Sequence, residues 1–246
     1  SDGPVPEWIS EVDELVDRLR LDLGFLPYDP TPRALYGPDG LYRGIDLGFA
    51  ESVDQDIYRR AQIAGGPTIP PVEALAQRLH DHGITLALDH FRADRRLVGV
   101  MGGHAMARGS TPYRQVVELG RALALAGYCV TTGGGPGAME AANLGAATCR
   151  RRAPEVSEMI DELEAVPSFE DDPDAFIGAA LTVQRRIGNP EPSLSVPTWF
   201  YGHEPSNPFA SHIAKYFSNS EREAGLLAIA TAGIVFAPGG PGTLQE

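Results

Sequence analysis

The stretch that decides the fold is residues 97–140, LVGVMGGHAMARGSTPYRQVVELGRALALAGYCVTTGGGPGAME. It opens on the apolar run Leu97–Met101, which has the length and composition of a buried strand. A helix is predicted over about 112–126, a second strand over 128–131, and a glycine loop comes next at 133–137. Strand, loop and helix in alternation are typical of a parallel sheet covered by helices.

The same alternation continues toward the carboxyl end. A helix is predicted through Cys149, an insertion of two helices over 154–188, and a strand near 194–201. A helix near 209–230 and a strand at 233–237 complete the pattern. We therefore expect an α/β fold, a Rossmann-like doubly wound parallel sheet with helices on both faces.

Residues 1–96 lack this alternation and are predicted to form a mainly helical N-terminal extension. Apolar residues recur at helical spacing over about 8–19, and a second helix is predicted to begin at Pro70 and to stop at Gly83. Residues 97–246 are predicted to form the nucleotide-binding domain, with the insertion inside it and more polypeptide expected after its last residue.

The composition narrows the choice of partners. The formal net charge is −13 and Lys215 is the only lysine, so a basic nucleic-acid-binding face is not expected. No apolar run is long enough for a membrane span and the N-terminus does not resemble a signal peptide, which predicts a cytoplasmic protein without a membrane partner. Cys129 and Cys149 are expected to be buried thiols, and no metal site is predicted.

Two glycine-rich loops carry the predicted chemistry, Gly133–Met139 and Pro238–Glu246. Each comes after a predicted strand and opens a predicted helix, at the sheet edge where parallel α/β proteins bind ligands. Glycine permits close approach of the backbone to a phosphate, and helix N-termini favour anions. The two loops together predict a phosphorylated ligand.

The glycine spacing argues against two common nucleotide folds. The first strand leads into Gly102, Gly103 and His104 with no further glycine until Gly109, and the second ends in threonine rather than an acidic residue. That is not the dinucleotide fingerprint, and no phosphate-binding loop ending in Gly-Lys-Ser/Thr is present in the sequence.

At this point the sequence resembles a known family. PGGPGTLQE at 238–246 matches the PGGxGTxxE signature of the LOG ("lonely guy") family, formerly called lysine decarboxylase-like. GGGPGAME at 133–140 matches the companion GGGxxGxM loop, in the form closest to the long bacterial branch of nucleotide 5′-monophosphate nucleosidases. The resemblance covers about residues 97–246 without the insertion.

The resemblance implies a phosphoribohydrolase without a cofactor. Such an enzyme hydrolyses the N-glycosidic bond of a nucleoside 5′-monophosphate to free base and ribose 5-phosphate, and it is typically a homodimer or a higher homo-oligomer. The implied catalytic residues are Arg222 and Glu246. The implied phosphate- and nucleotide-binding residues are Gly102, Gly103, His104, Gly133, Gly134, Gly135, Gly137, Met139, Glu140, Gly239, Gly240, Gly242 and Thr243.

These roles agree with the chemistry of glycoside cleavage. Positive charge develops on the ribose in an oxocarbenium-like transition state, which the Glu246 carboxylate would stabilise while it orients a water. Arg222 would bind the phosphate or a ribose hydroxyl. His104 is equally interpreted as a ligand contact or as a capping or packing residue, and Glu140 as a ribose contact or as a helix N-terminal charge.

Of the other classes of function, the decarboxylase fails on physical grounds and a binding protein remains. The old decarboxylase name requires a Schiff-base lysine, and Lys215 lies in an apolar segment, interpreted as helical, without supporting residues. A non-catalytic sensor or carrier of a nucleotide or molybdenum cofactor remains the alternative.

An apolar segment near 226–230 is a candidate dimer interface, although core packing explains it as well.

Overall fold

A computed structural model describes residues 23–64, 69–200 and 205–239, together with isolated positions between 8 and 17. Within these ranges the chain forms a five-stranded sheet in which every pairing is parallel, in the order β4-β3-β2-β1-β5. The strands are β1 (Leu97–Met101), β2 (Cys129–Thr132), β3 (Leu194–Ser195), β4 (His212–Ile213) and β5 (Gly233–Phe236). The predicted parallel α/β sheet is confirmed.

Within the described ranges, α-helices surround this sheet, and two short 3-10 helices lie at Ile45–Leu47 and Phe49–Glu51. The α-helices are α1 (Pro38–Leu41), α2 (Val53–Ala64), α3 (Pro71–Arg92), α4 (Thr111–Leu125), α5 (Ala138–Ala147), α6 (Ala153–Glu164), α7 (Pro173–Ile187) and α8 (Asn219–Ile229). Ser110 caps α4 by accepting the N–H of Tyr113, and Asp172 caps α7 in the same way. Both helix starts agree with the sequence prediction, as do the two helices of the insertion, α6 and α7.

Helices cover both faces of the sheet, as a doubly wound fold requires. On one face the buried side chains of Val100 and Val130 pack against α5 and α4. On the other face Leu97, Met101 and Cys129 pack against α3 and α8. Successive strand residues point to opposite faces, so β1 is apolar throughout because it is buried on both sides.

The predicted end of the second N-terminal helix at Gly83 is wrong. Helix α3 runs without interruption from Pro71 to Arg92, and Gly83 lies in its middle. A Cβ at Gly83 would lie 2.8 Å from the carbonyl oxygen of Pro32, so the glycine is explained by close packing of another segment. Helix α2 lies in this region as well, and the sequence pattern did not indicate it.

The prediction for residues 194–230 is also partly wrong. Strand β3 is only two residues long, and the segment from Phe209 to Tyr216 forms β4 and a buried extension instead of the first half of a helix. Helix α8 begins only after Ser218, whose side chain accepts the N–H of Glu221. A short apolar run has no periodicity that separates a strand from a helix, and the parallel pairing with β3 decided the outcome.

The N-terminal region packs closely against the sheet. Tyr36 forms an antiparallel bridge to Ile213 in β4, and Asp54 of α2 forms a buried ion pair with Lys215. The predicted first helix, about residues 8–19, lies largely outside the described residues. Within the described ranges, no helix combines the length and the apolar character that a membrane span requires.

Candidate functional site

Three loops meet at the carboxyl edge of the sheet, after β1, β2 and β5. A Cβ at Gly103 would lie 2.8 Å from the Cβ of Ala138 and 3.0 Å from that of Ala237, and the carbonyl oxygen of Pro238 is 3.6 Å away. A Cβ at Gly137 would overlap the carbonyl oxygen of Gly103. Both glycines have positive φ, 66° and 72°, so close approach and backbone conformation each require glycine there.

A buried polar cluster fixes the loop after β2. The hydroxyl of Thr132 donates to the side-chain oxygen of Asn143 (2.7 Å) and accepts the N–H of Gly134 (3.1 Å). The amide of Asn207 donates to the same Asn143 oxygen (3.2 Å), and its backbone N–H donates to the carbonyl of Gly134 (2.7 Å). The N-cap of α5 is Gly137; the N–H of Ala138 donates to the carbonyl of Gly103 (3.0 Å), and no side chain caps the rest of the first turn. This helix N-terminus is therefore suited to an anion.

A buried ion pair ties this loop to the loop after β1. Arg108 donates from Nε and Nη2 to the two carboxylate oxygens of Glu140 (2.8 and 2.6 Å), and the side chains are each 1% exposed. Tyr113 donates to the same carboxylate (2.8 Å), and its own pKa is raised well above its ordinary value, first by burial and then by Glu140. A third nitrogen of Arg108 donates to the carbonyl of Phe176 in the insertion (3.0 Å).

A cavity of about 420 Å³ lies between the loop after β1 and the insertion. Its walls include His104, Arg108, Gly137, Ser168, Phe169 and Glu170. That volume falls within the roughly 300–1,000 Å³ typical of small-molecule sites. The cavity therefore joins a glycine loop to side chains that lie outside the family resemblance.

Helix α8 carries Arg222 toward the same edge. Its N-terminus is fixed by Asp81 of α3, whose carboxylate accepts the backbone N–H groups of Phe217 (3.0 Å) and Ser218 (2.9 Å). One turn later, Nη1 of Arg222 lies 3.9 Å from the position that a Cβ would take on Gly133. The predicted arginine and the predicted glycine loop are thus neighbours.

The structure brings most of the predicted site residues in its described ranges together. The glycines at 102, 103, 133, 134, 135 and 137 belong to the meeting loops. Met139 is buried with its sulfur 3.0 Å from the same Cβ position at Gly133, and exposed His104 lines the cavity. Gly239 lies after β5 and is exposed. Gly240, Gly242, Thr243 and Glu246 lie outside the described residues.

The sequence left two interpretations open for Glu140 and two for His104, and the geometry bears on both residues. Glu140 is fully buried, and both of its oxygens accept from Arg108 or Tyr113, so it acts as a structural anion in this arrangement. The cap of α4 is Ser110, not His104. The segment near 226–230, a candidate dimer interface from its sequence, contributes Leu226 and Ile229 to the core between α3 and the sheet.

Sequence reasoning missed Arg108, Asn143 and Asn207. Nothing in the local pattern marks them, because each acts on a loop that is distant in sequence: 32 residues separate Arg108 from Glu140, and 64 separate Asn207 from Asn143.

The fold and the meeting glycine loops define a Rossmann-like α/β protein. The profile of the SLOG cluster4 family matches residues 95–151, which contain β1, α4, β2 and α5 with both of their loops. The SLOG superfamily includes LOG-like proteins, so this match indicates a nucleotide-related function. No curated protein with significant similarity to the chain was found.

Proposed function

We propose that the protein hydrolyses the N-glycosidic bond of a nucleoside 5′-monophosphate, giving free base and ribose 5-phosphate. The observation that carries this proposal is the approach of Arg222 to the glycine loop at Gly133, beside the N-terminus of α5. A cation and an anion-binding helix start at one edge suit a phosphorylated sugar.

In the proposed mechanism the backbone does most of the phosphate binding. The N–H groups of the loops after β2 and β5 would bind the 5′-phosphate, which explains how a chain of net charge −13 binds an anion. Arg222 would bind a ribose hydroxyl or the phosphate. As the bond from C1′ to the base nitrogen breaks, the electron pair leaves with the base and a water adds to C1′.

Glu246 is the proposed carboxylate for the developing sugar cation. It would stabilise the oxocarbenium-like state and accept the proton of the attacking water. Return of that proton through solvent to the departed base nitrogen releases the neutral base and restores the carboxylate. The fully buried Glu140 is already paired with Arg108, so a second carboxylate is needed for this role. The PGGxGTxxE resemblance supplies it at the end of the loop after β5.

The test is to incubate the full-length protein with AMP, GMP, CMP, UMP and IMP and to separate free base and ribose 5-phosphate by chromatography. We expect release from at least one nucleotide. Arg222→Ala and Glu246→Gln should each lower kcat/KM at least ~100-fold, the usual cost of losing a transition-state contact.

Arg78→Ala is the matched control. Arg78 lies on the adjacent helix α3, is exposed, and forms only a loose ion pair with Glu221 (3.5 Å). Its loss should leave turnover unchanged within about two-fold, because exposed pairs contribute little.

The contrary outcome is no base release from any of the five nucleotides combined with micromolar or tighter binding by calorimetry. That result would reject hydrolysis and leave the non-catalytic sensor or carrier as the function of the same loops.

A further inference from the structure

We propose that the cavity between the loop after β1 and the insertion receives the nucleobase, and that it selects bases with N–H donors on their pairing edge, guanine foremost. This inference rests on the proposed nucleotide site and adds the part of the ligand that no glycine loop recognises. Phe169 would provide the apolar wall for the base, and Glu170 the acceptor that distinguishes one base from another.

The first argument is position. His104 and Gly137 line the cavity, and a Cβ at Gly137 would lie 2.7 Å from the carbonyl oxygen of His104. The loop after β5 approaches the same place, because Ala237 and Pro238 lie beside Gly103. The cavity is therefore contiguous with the loops at which the phosphate is proposed to bind.

The second argument is that the cavity is rigidly built. Arg108, a buried side chain of its wall, connects three separate segments: α5 through Glu140, the start of α7 through the carbonyl of Phe176, and the preceding turn through that of Val166. Its guanidinium carbon also lies 3.2 Å from the centre of the Phe176 ring. Because these contacts occupy the guanidinium, Arg108 fixes the walls and is not the phosphate ligand.

The third argument is the apolar wall. Phe169 is half-buried, and its ring packs edge to face with Phe176 (5.8 Å) and with Phe49 of the N-terminal region (5.4 Å). An aromatic side chain backed on two sides is the usual platform for a base, because stacking tolerates any base. The insertion thus brings a base platform to loops that recognise only phosphate.

The fourth argument is charge. Glu170 lines the cavity and is followed in sequence by Asp171 and by Asp172, which caps α7 by accepting the N–H of Ala175. This acidic segment repels the 5′-phosphate and so orients the nucleotide with its base toward the insertion. A carboxylate accepts two parallel hydrogen bonds from N1–H and the 2-amino group of guanine, whereas the N3–H of uracil is flanked by carbonyl oxygens.

The experiment is calorimetric titration of the full-length protein with GMP, UMP and ribose 5-phosphate, in the Glu246→Gln background so that the nucleotides persist. We expect GMP to bind at least ~10-fold more tightly than UMP, and Phe169→Ala to weaken both nucleotides by about the same factor. Ribose 5-phosphate should be unaffected. Phe169→Leu keeps most of the packing volume and should show the same selective loss if stacking, rather than folding, is responsible.

Glu170→Gln should remove most of the preference for GMP over UMP, while the neighbouring Asp171→Asn should retain it. Equal affinities for GMP, UMP and ribose 5-phosphate, or variants of Phe169 that bind nucleotides normally, would overturn the base pocket even if the protein hydrolyses nucleotides. Base-selective binding without any hydrolysis in the parent protein would instead reject the enzyme and leave the pocket standing.

Discussion

The carboxyl edge of the sheet has two halves that share one backbone geometry and differ in the segments that the strands lead into. In the glycine-loop half, β5, β1 and β2 end in glycine-rich loops beside a cavity. In the covered half, β3 and β4 end beneath the N-terminal region. There Trp199 packs against Tyr36, His80 and Phe217, with ring centres 4.7–5.9 Å apart.

Each half contains a fully buried ion pair, and the difference between the two pairs is instructive. Arg108–Glu140 lies against a cavity, whereas Lys215–Asp54 is enclosed by packed side chains. Asp54 also accepts the ring N–H of Trp199 (3.0 Å), and Lys215 donates to the hydroxyl of Ser206 (3.0 Å). Both pairs are satisfied internally, and only Arg108–Glu140 lies against a cavity, so the glycine-loop half is the one suited to a ligand.

The largest expected effect comes from breaking the enclosed pair. Lys215→Met leaves the Asp54 carboxylate buried without its charge partner, which should lower the free energy of unfolding by about 3–5 kcal/mol. Urea denaturation monitored by circular dichroism measures the change. The double variant Lys215→Met with Asp54→Leu should recover much of it, because a buried apolar pair replaces two desolvated charges.

The same variant should lower stability without lowering nucleotide affinity. Lys215→Met should leave the affinity of the remaining folded protein unchanged, since the pair lies in the covered half. A loss of affinity at temperatures where the variant is fully folded would show that the two halves are coupled and would break the comparison.

The next effect is expected from Arg108→Met in the glycine-loop half. It leaves Glu140 buried without its cation and detaches the insertion from the loop after β1, so stability should fall by about 3 kcal/mol. Nucleotide affinity should also fall, by at least ~10-fold, because the cavity walls are no longer fixed. Calorimetry at a temperature where both proteins are folded separates the two effects, and unchanged affinity would contradict the prediction.

Gly137→Ala tests the loops more locally. The new Cβ would overlap the carbonyl oxygen of Gly103 at a φ of 72°, and the loops must move apart to admit it. We expect nucleotide binding to be lost and stability to fall by about 2–3 kcal/mol. Gly127→Ala is the matched control, since Gly127 has a φ of 81° and no atom within 4 Å of its Cβ position. Gly127→Ala should lower the free energy of unfolding by about 1 kcal/mol, from backbone strain alone, and should preserve nucleotide binding.

The effect expected only at high pH concerns Cys129 in β2, the strand of the glycine-loop half that borders the covered half. Burial raises the pKa of the Cys129 thiol to about 11 from an ordinary 9.0, so the unfolded chain loses this proton at lower pH than the folded one. The resulting stability is fully present below pH 9 and is lost as pH rises toward 11, amounting to at most about 3 kcal/mol. Urea denaturation of the parent and of Cys129→Ala at pH 8 and pH 10.5 measures it. Their difference in stability should shrink at the higher pH, and a constant difference would refute the assignment.

The two halves also differ in how far the sequence predicted them. In the glycine-loop half the strands β1 and β2, the loops after them and the start of α4 were all indicated by short local patterns. An apolar run favours a strand, a glycine cluster favours a tight loop, and Ser-x-Pro favours a helix start. Each preference depends on residues only a few positions apart, so it can be read from the sequence itself. The covered half was mispredicted at Gly83 and over 209–216, where partners from elsewhere in the chain decided the conformation.

The sequence by itself therefore determined the parallel sheet, its turns and the glycine-rich loops at its edge. The tertiary structure alone decided which part of that edge is covered, where the cavity lies and which carboxylates are already paired. Asp54 and Lys215 are separated by 161 residues, and their pairing has no local signature. Backbone preferences are short-range and appear in the sequence, whereas the cost of burying a charge depends on partners that only folding brings together.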